Sequence, residues 1–319
     1  MTLAELNVQK TPQQTSLFKN ILVAVDFSPA SRHALAEALA LAPGSDARLH
    51  VVHVFHNDWR YEMVPSPPEL DLERIDAEHK LAELIAGLKS ERQIDSILVK
   101  DGPIATAILS VAAELGTDLL VVGTHGRGGF SKLALGSVSE ELLRIAPFPV
   151  MTIGPKTEAA RPESPSPIHT ILFATDFGPG STKALPLVMS LTKTHRAKLI
   201  VLHMIAPIPA SSSSLSAFAP ASAAADEIEV WSGSTRKRAL QQLKEYLPQG
   251  NGLEQEPEYF VGTDFLPEGL LSAAATFNVD LIVMGANRSA APRIAAHVPW
   301  SAVHEVIVRA PCPVLTVAG

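Results

Sequence analysis

Short runs that are apolar at every position alternate along the chain with longer stretches in which apolar residues recur every three or four places. Ile21-Leu-Val-Ala-Val25 and Leu119-Leu-Val-Val122 are of the first kind. A run with no polar face fits a strand covered on both sides, hence a parallel sheet beneath helices. In the first half the pattern predicts strands near 20–26, 48–55, 95–100, 118–123 and 149–153. Helices are expected near 29–42, 71–91, 103–115 and 137–146. Alternating βα units of this kind predict a doubly wound α/β fold.

The pattern then returns. Ile21-Leu-Val-Ala-Val-Asp26-Phe-Ser-Pro29 comes back as Ile171-Leu-Phe-Ala-Thr-Asp176-Phe-Gly-Pro179. Arg48-Leu-His-Val-Val-His53 comes back as Lys198-Leu-Ile-Val-Leu-His203, and Asp118-Leu-Leu-Val-Val-Gly123 as Asp280-Leu-Ile-Val-Met-Gly285. Pro149-Val-Met-Thr-Ile153 has its counterpart in Pro313-Val-Leu-Thr-Val317. So long a period means a duplicated domain, not a solenoid. The expected organisation is an N-terminal tail over 1–19, a domain over 20–155, a linker rich in Pro, Ser and charge over 156–167, and a second domain over 168–319.

After the run that ends at Val122 comes Gly123-Thr-His-Gly126-Arg-Gly-Gly-Phe-Ser-Lys-Leu-Ala-Leu-Gly136-Ser137, and then a stretch of helical spacing. Strand, glycine-rich loop and helix follow one another. Glycines let main-chain N–H groups approach a ligand, and a helix N-terminus adds unpaired donors and partial positive charge. Together they make an anion site, most simply a phosphate site. The loop lacks the Gly-Lys-Ser/Thr ending of a Walker loop and the Gly-x-Gly-x-x-Gly of a dinucleotide fold. A purely structural reading also exists, because Ser137-x-x-Glu140 has the form of a capping box.

The spacing, Gly123-x2-Gly126-x9-Gly136-Ser137, resembles the ATP-binding signature of the universal stress protein family. Both halves resemble domains of that family, and the resemblance runs from Asn20 almost to the last residue. It implies two five-stranded parallel sheets of order 3-2-1-4-5, of the adenine nucleotide alpha hydrolase-like type. It implies too that the fifth strands, Val150–Ile153 and Val314–Val317, pair within one chain as a pseudo-dimer. Ligands of such sheets bind where the strand order reverses, beyond the carboxyl ends of the strands. Asp26 and Gly123 would meet at that point.

The resemblance further implies an adenine nucleotide, ATP or else AMP or ADP, with Mg²⁺ as an optional companion. Its site residues carry over to Val25, Asp26, Val54, Val122, Gly123, Gly126, Arg127, Gly136, Ser137, Val138 and Ser139. Asp26 would receive ribose hydroxyls or cap the helix starting at Pro29, and the Val54 backbone would meet the adenine edge. Val25 and Val122 would wall the pocket. Gly126, Gly136 and Val138 would present main-chain donors to phosphate, while Ser137 would donate its hydroxyl or cap its helix. Arg127 and Lys132 add charge or are simply solvated. No catalytic residue is assigned.

Composition narrows the alternatives. The chain has 319 residues, a formal net charge of −7, 46% hydrophobic and 18% charged residues, and one cysteine, Cys312. No basic field points to nucleic acid. No apolar run approaches the roughly 20 residues of a membrane span. Met1 to Lys19 lacks the apolar stretch of a signal peptide. A cytoplasmic location is therefore expected, without an internal disulfide. His50-x-x-His53-x-x-His56 looks like a metal cluster, but strand alternation sends His50 and His53 to opposite faces, so no metal is expected.

The second half departs from the signature. Its corresponding loop carries Arg288 and Trp300 where Gly126 and Gly136 stand in the first, so it is not expected to hold ATP in the same way. Arg293 and His297 leave it some anion affinity. Asn57–Pro68 and Pro207–Ala225 follow the second strands and read as mobile loops or lids. The reading is a regulatory or stress-response nucleotide-binding protein with an unknown protein partner, acting as a homodimer or an intramolecular pseudo-dimer. The alternatives are a slow ATP hydrolase and a nucleotide-free scaffold.

Overall fold

The computed structural model describes residues 17–41, 47–55, 67–88, 94–124, 135–160, 167–205, 221–286 and 300–319. The first half runs β1 (Asn20–Ala24), α1 (Pro29–Leu41), β2 (Arg48–Phe55), α2 (Pro67–Ala86), β3 (Ser96–Asp101), α3 (Ile104–Glu114), β4 (Leu119–Gly123), α4 (Ser137–Ile145) and β5 (Val150–Ile153). A short helix, α5 (Pro155–Ala160), leads into the second half. There follow β6 (Thr170–Ala174), α6 (Pro179–His195), β7 (Lys198–Met204), α7 (Ala221–Tyr246) and β8 (Glu258–Gly262). The chain then forms α8 (Glu268–Thr276), β9 (Leu281–Ala286), α9 (Trp300–Arg309) and β10 (Val314–Ala318).

Each predicted element of the first half is present, and the chain departs from the expected pattern at several places in both halves. Helix α2 starts at Pro67, earlier than the pattern suggests. Prolines are accepted in a first helical turn, where the missing N–H would have had no partner. Pro155–Ala160 is helical within the Pro- and Ser-rich stretch, and Thr157 is buried there. Residues 221–225, read as loop, are the first of α7, and alanine is the best helix former.

The strands form one sheet in the order β3-β2-β1-β4-β5-β10-β9-β6-β7-β8. Each half therefore has the order 3-2-1-4-5, with parallel neighbours throughout. The halves join antiparallel through β5 and β10, with Leu315 opposite Met151. The two hydroxyls nearest the seam bond across it reciprocally, Thr152 Oγ1 to the Val314 carbonyl and Thr316 Oγ1 to the Val150 carbonyl, each at 3.1 Å. Both threonines are buried, so these bonds satisfy groups that water cannot reach.

Strand alternation divides the core into two layers. Val23, Val51, Met151, Phe173 and Leu315 pack with Leu35 of α1, Leu81 of α2, Val188 of α6 and Leu243 of α7. Leu22, Val52, Leu120, Ile200 and Val314 pack with Ile108 of α3, Leu142 of α4, Leu270 of α8 and Val306 of α9. Both layers run across the seam. At the amino ends of the strands a repeated carboxylate ties the first strand of each half to the fourth. Asp118 accepts the Lys19 and Asn20 N–H groups at 2.7 and 3.1 Å. Asp280 accepts those of His169 and Thr170 at 2.9 Å each. Phe18, just before β1, is buried.

The seam makes the two halves one cooperative unit. Leu315→Ala empties a site 1% exposed between them. Urea unfolding of the variant is expected to stay a single transition with stability lower by about 2–5 kcal/mol. Two separated transitions would contradict a shared core.

Candidate functional site

Strands β1 and β4 lie side by side, with Ala24 opposite Val122, and the sheet order reverses on either side of them. Of the residues that the sequence analysis assigned to the site, Asp26 follows the carboxyl end of β1 and Gly123 ends β4. On one side the chain leaves β1 through Val25 and Asp26. On the other it leaves β4 through Gly123 and Thr124 and comes back at Leu135 to enter α4.

The β1 side is built around Phe27, which has a left-handed backbone at φ 65°. An L-residue with a bulky side chain rarely adopts that angle, so its surroundings must enforce it. His53 of β2 packs on the Phe27 ring with centroids 4.5 Å apart, and its Nδ1 donates to the Val25 carbonyl at 2.6 Å. The sharp turn sends Asp26 back over the start of α1. Asp26 Oδ1 accepts the Ser28 N–H at 3.0 Å and the Ser28 hydroxyl at 2.6 Å. Ser28 Oγ in turn accepts the Ser31 N–H at 3.2 Å, which makes Ser28 the N-cap of α1. Asp26 is half-buried at the mouth of the crevice. It thus supports the cap of the following helix without being that cap itself.

The second half repeats the device with one change. Phe177 is left-handed at φ 59°, and His203 packs on it at 4.6 Å while Nδ1 donates to the Thr175 carbonyl at 2.8 Å. Gly178 stands in the place of Ser28, so Asp176 Oδ1 takes the Ser181 hydroxyl directly at 2.6 Å.

On the β4 side Thr124 is buried, and its N–H and hydroxyl both donate to the Ile153 carbonyl at 3.0 Å. The Thr124 carbonyl accepts the Gly136 N–H at 2.8 Å, so the two ends of the segment 125–134 are held together. Ser139 is buried and donates its hydroxyl to the Gly123 carbonyl at 2.8 Å, which pins α4 to the end of β4. The N-cap of α4 is Gly136, at φ −65° and ψ 145°, and it has no side-chain cap. The capping box suggested by Ser137-x-x-Glu140 therefore does not form. Ser137 sits one place too late, at the first helical position, and Glu140 pairs with Arg144 at 2.8 Å. Among the described residues no group accepts the backbone N–H of Ser137, Val138 or Ser139, as expected at an uncapped helix start. Ser137 is exposed there, and Val138 is half-buried.

The glycines have separable roles. A Cβ on Gly123 would lie 2.8 Å from the Ala30 carbonyl carbon and 2.9 Å from the Ser31 nitrogen, so Gly123 admits the start of α1 against β4. Gly285 does the same against Ser181 in the second half. Gly136 has an ordinary backbone angle, and a Cβ there would come no closer than 3.2 Å, to the Thr124 carbonyl oxygen, an approach that a small shift relieves.

Val25, Val54 and Val122 are buried at the strand ends. Val25 joins the layer under α1, while Val54 and Val122 join the layer under α3 and α4. Strand β2 continues one residue past Val54, which lies opposite Lys100 of β3. His50 faces away from His53 and its Nδ1 is 2.7 Å from Ser96 Oγ. Burial pushes its pKa below the ordinary 6.5, with Asp95 opposing the shift and Arg48 reinforcing it. Gly126, Arg127, His125, Lys132 and His56 lie outside the described residues, as do Arg288, Arg293 and His297.

A family model described as the universal stress protein family matches residues 17–154 and again residues 167–318. The chain belongs to the universal stress protein family, in tandem form. Of individual universal stress proteins, the "Universal stress protein in QAH/OAS sulfhydrylase 3'region" of Thermus aquaticus is 35% identical over 137 residues, covering 43% of this chain and 99% of the relative. "Universal stress protein A homolog 1" of Coxiella burnetii is 36% identical over 143 residues, covering 43% and 96%. A universal stress protein of known structure from Archaeoglobus fulgidus superposes on 97% of this chain and 99% of its own, with a TM-score of 0.58 and 16% identity, a likeness of fold.

In this tandem universal stress protein, reasoning from sequence overlooked Phe27, His53, Ser28 and Thr124. The signal was present for the first two, since Asp-Phe and the histidine recur in both halves. The two glycines should respond differently to a methyl group. Gly123→Ala is expected to lower stability by about 1–3 kcal/mol through overpacking on α1. Gly136→Ala is expected to cost under about 1 kcal/mol, because its backbone angle suits any residue. Equal losses in thermal or urea unfolding would contradict this division of roles.

Proposed function

We propose that the first half holds an adenine nucleotide, ATP or else AMP or ADP, and that occupancy serves the stress-response role of the family. The observation that supports this reading is that Asp26 follows β1 and the uncapped α4 follows β4, neighbouring strands on either side of the point where the sheet order reverses. Unpaired N–H groups at a helix start favour an anion such as phosphate, and the helix dipole adds to them. The residues present fit such a ligand. The donors of Ser137 and Val138, with the Ser137 hydroxyl, would hold phosphate oxygens. Asp26 would receive ribose hydroxyls, and the strand end at Val54 would offer main-chain groups to the adenine edge. Ser139 and Gly123 would hold α4 and β4 in place beneath it, and Gly126 and Arg127 would complete the loop. A nucleotide bound there brings negative charge that Mg²⁺ would share.

The second half is a different case. Val303 is buried at the position that Ser139 occupies in the first half, and Trp300 stands for Gly136. Neither the serine pin nor the close backbone approach is retained. We assign this half a structural role within units of about 20–155 and 168–319, in a cytoplasmic protein that reaches an unidentified protein partner as a pseudo-dimer or a homodimer of it.

Nucleotide content of freshly purified protein tests the reading, by acid release and chromatography, beside a Gly136→Trp variant that copies the second half. Near-stoichiometric adenine nucleotide in the parent and none in the folded variant is the expected result. Absence from both, with no binding of added ATP, would overturn it.

A further inference from the structure

Helix α9 belongs to the second half, yet three contacts join it, or the residue that follows it, to the chain before β6. The Leu135 N–H donates to His304 Nε2 at 3.4 Å. The backbone of Gly154 lies so close to the Ile307 carbonyl that a Cβ on Gly154 would overlap it. The Thr157 hydroxyl donates to the Ala310 carbonyl at 3.3 Å. The first contact matters most. Leu135 is the residue before Gly136, at the entrance to α4, and its side chain is buried in the same layer as Ala302, Val303 and Val306.

The contact runs one way. Aligning the fourth helices of the two halves on Ser137 and Ser301 places Pro299 opposite Leu135, and Glu140 opposite His304. A pseudo-twofold copy of the bond would need an N–H on Pro299, and proline has none. Glu140 is instead held by Arg144 within its own helix. So the second half contributes a group to the entrance of α4 in the first half, and among the described residues the first half returns no such group.

We infer that His304 is a positioning residue for the first-half nucleotide site: by accepting the Leu135 N–H it fixes where the chain enters α4, and thereby where the Ser137 and Val138 donors stand. The site is then incomplete without the second half, which explains a role for a half whose own loop lacks the glycines. The bond requires an unprotonated Nε2, so the proton of the neutral ring sits on Nδ1. This inference rests on the nucleotide reading above.

The test compares the full chain with His304→Phe, which keeps a ring but no acceptor, and His304→Gln, whose amide oxygen can take the place of Nε2. ATP affinity is measured by titration calorimetry and the exchange of the Leu135 amide by NMR. Loss of one hydrogen bond predicts roughly three- to ten-fold weaker ATP binding in His304→Phe, with faster Leu135 exchange. Both should return toward the parent in His304→Gln, which a general packing defect would not allow. Equal affinities in all three proteins, or unchanged Leu135 exchange in His304→Phe, would overturn the inference and leave the nucleotide reading intact. A parent chain that binds no ATP would overturn that reading itself.

Discussion

The antiparallel pairing of β5 with β10 is the contact on which the rest of the molecule depends. A five-stranded parallel sheet ends in a strand with unpaired backbone groups, a liability when left open. Here each half covers the other's edge, and Thr152 and Thr316 exchange side-chain bonds across the join. The consequence reaches beyond the edges. Because the pairing is close to twofold, it puts α4 and α9 on the same face of the sheet, in one core layer. Both core layers then run through the seam, and α9 comes within reach of the first-half crevice. At the far ends of α1 and α6, the His195 imidazole bonds the Leu41 backbone, and burial holds its pKa below the ordinary 6.5.

Duplication kept some features and released others, and the difference is physical. The left-handed phenylalanine, the histidine that braces it and the aspartate that supports the next helix occur in both halves. So does the carboxylate that ties the amino ends of the first and fourth strands. These devices shape a turn or fasten a strand, so the fold needs them whether or not a ligand is present. Besides Ser28 against Gly178, differences lie at the entrance to the fourth helix: Gly136 against Trp300, Ser139 against Val303 and Leu135 against Pro299. Asp26 alone says little about ligand binding, since Asp176 supports the equivalent helix start, through Gly178 and Ser181, in a half without the glycines.

Much of the fold was legible because its strands are buried on both faces, and continuous apolar runs such as Leu119-Leu-Val-Val122 admit few other readings. The duplication was legible for the same reason, since the strands and the turns after them recur almost residue by residue. Boundaries set by backbone chemistry were less so. Pro67 and Pro68 read as punctuation, although a first helical turn tolerates them. Ser137 and Glu140 have the letters of a capping box, but the helix starts one residue earlier than the box requires, with Gly136 as its N-cap. The recurrence of Asp-Phe marked Phe27 as a shared feature, but nothing local marks a phenylalanine as left-handed. The bond between His304 and Leu135 joins residues 169 positions apart and exists only because the sheets are paired.

The central claim is that one crevice of the two, the first, is the nucleotide site, with phosphates at the start of α4. A crystal structure of the full chain grown with a non-hydrolysable ATP analogue tests it most directly. The account predicts density for the analogue between Asp26 and Ser137, its phosphates within hydrogen-bond reach of the Ser137 and Val138 nitrogens, and none at the start of α9. An analogue seated in the second crevice instead, or bound in the first with its phosphates away from α4, would contradict it.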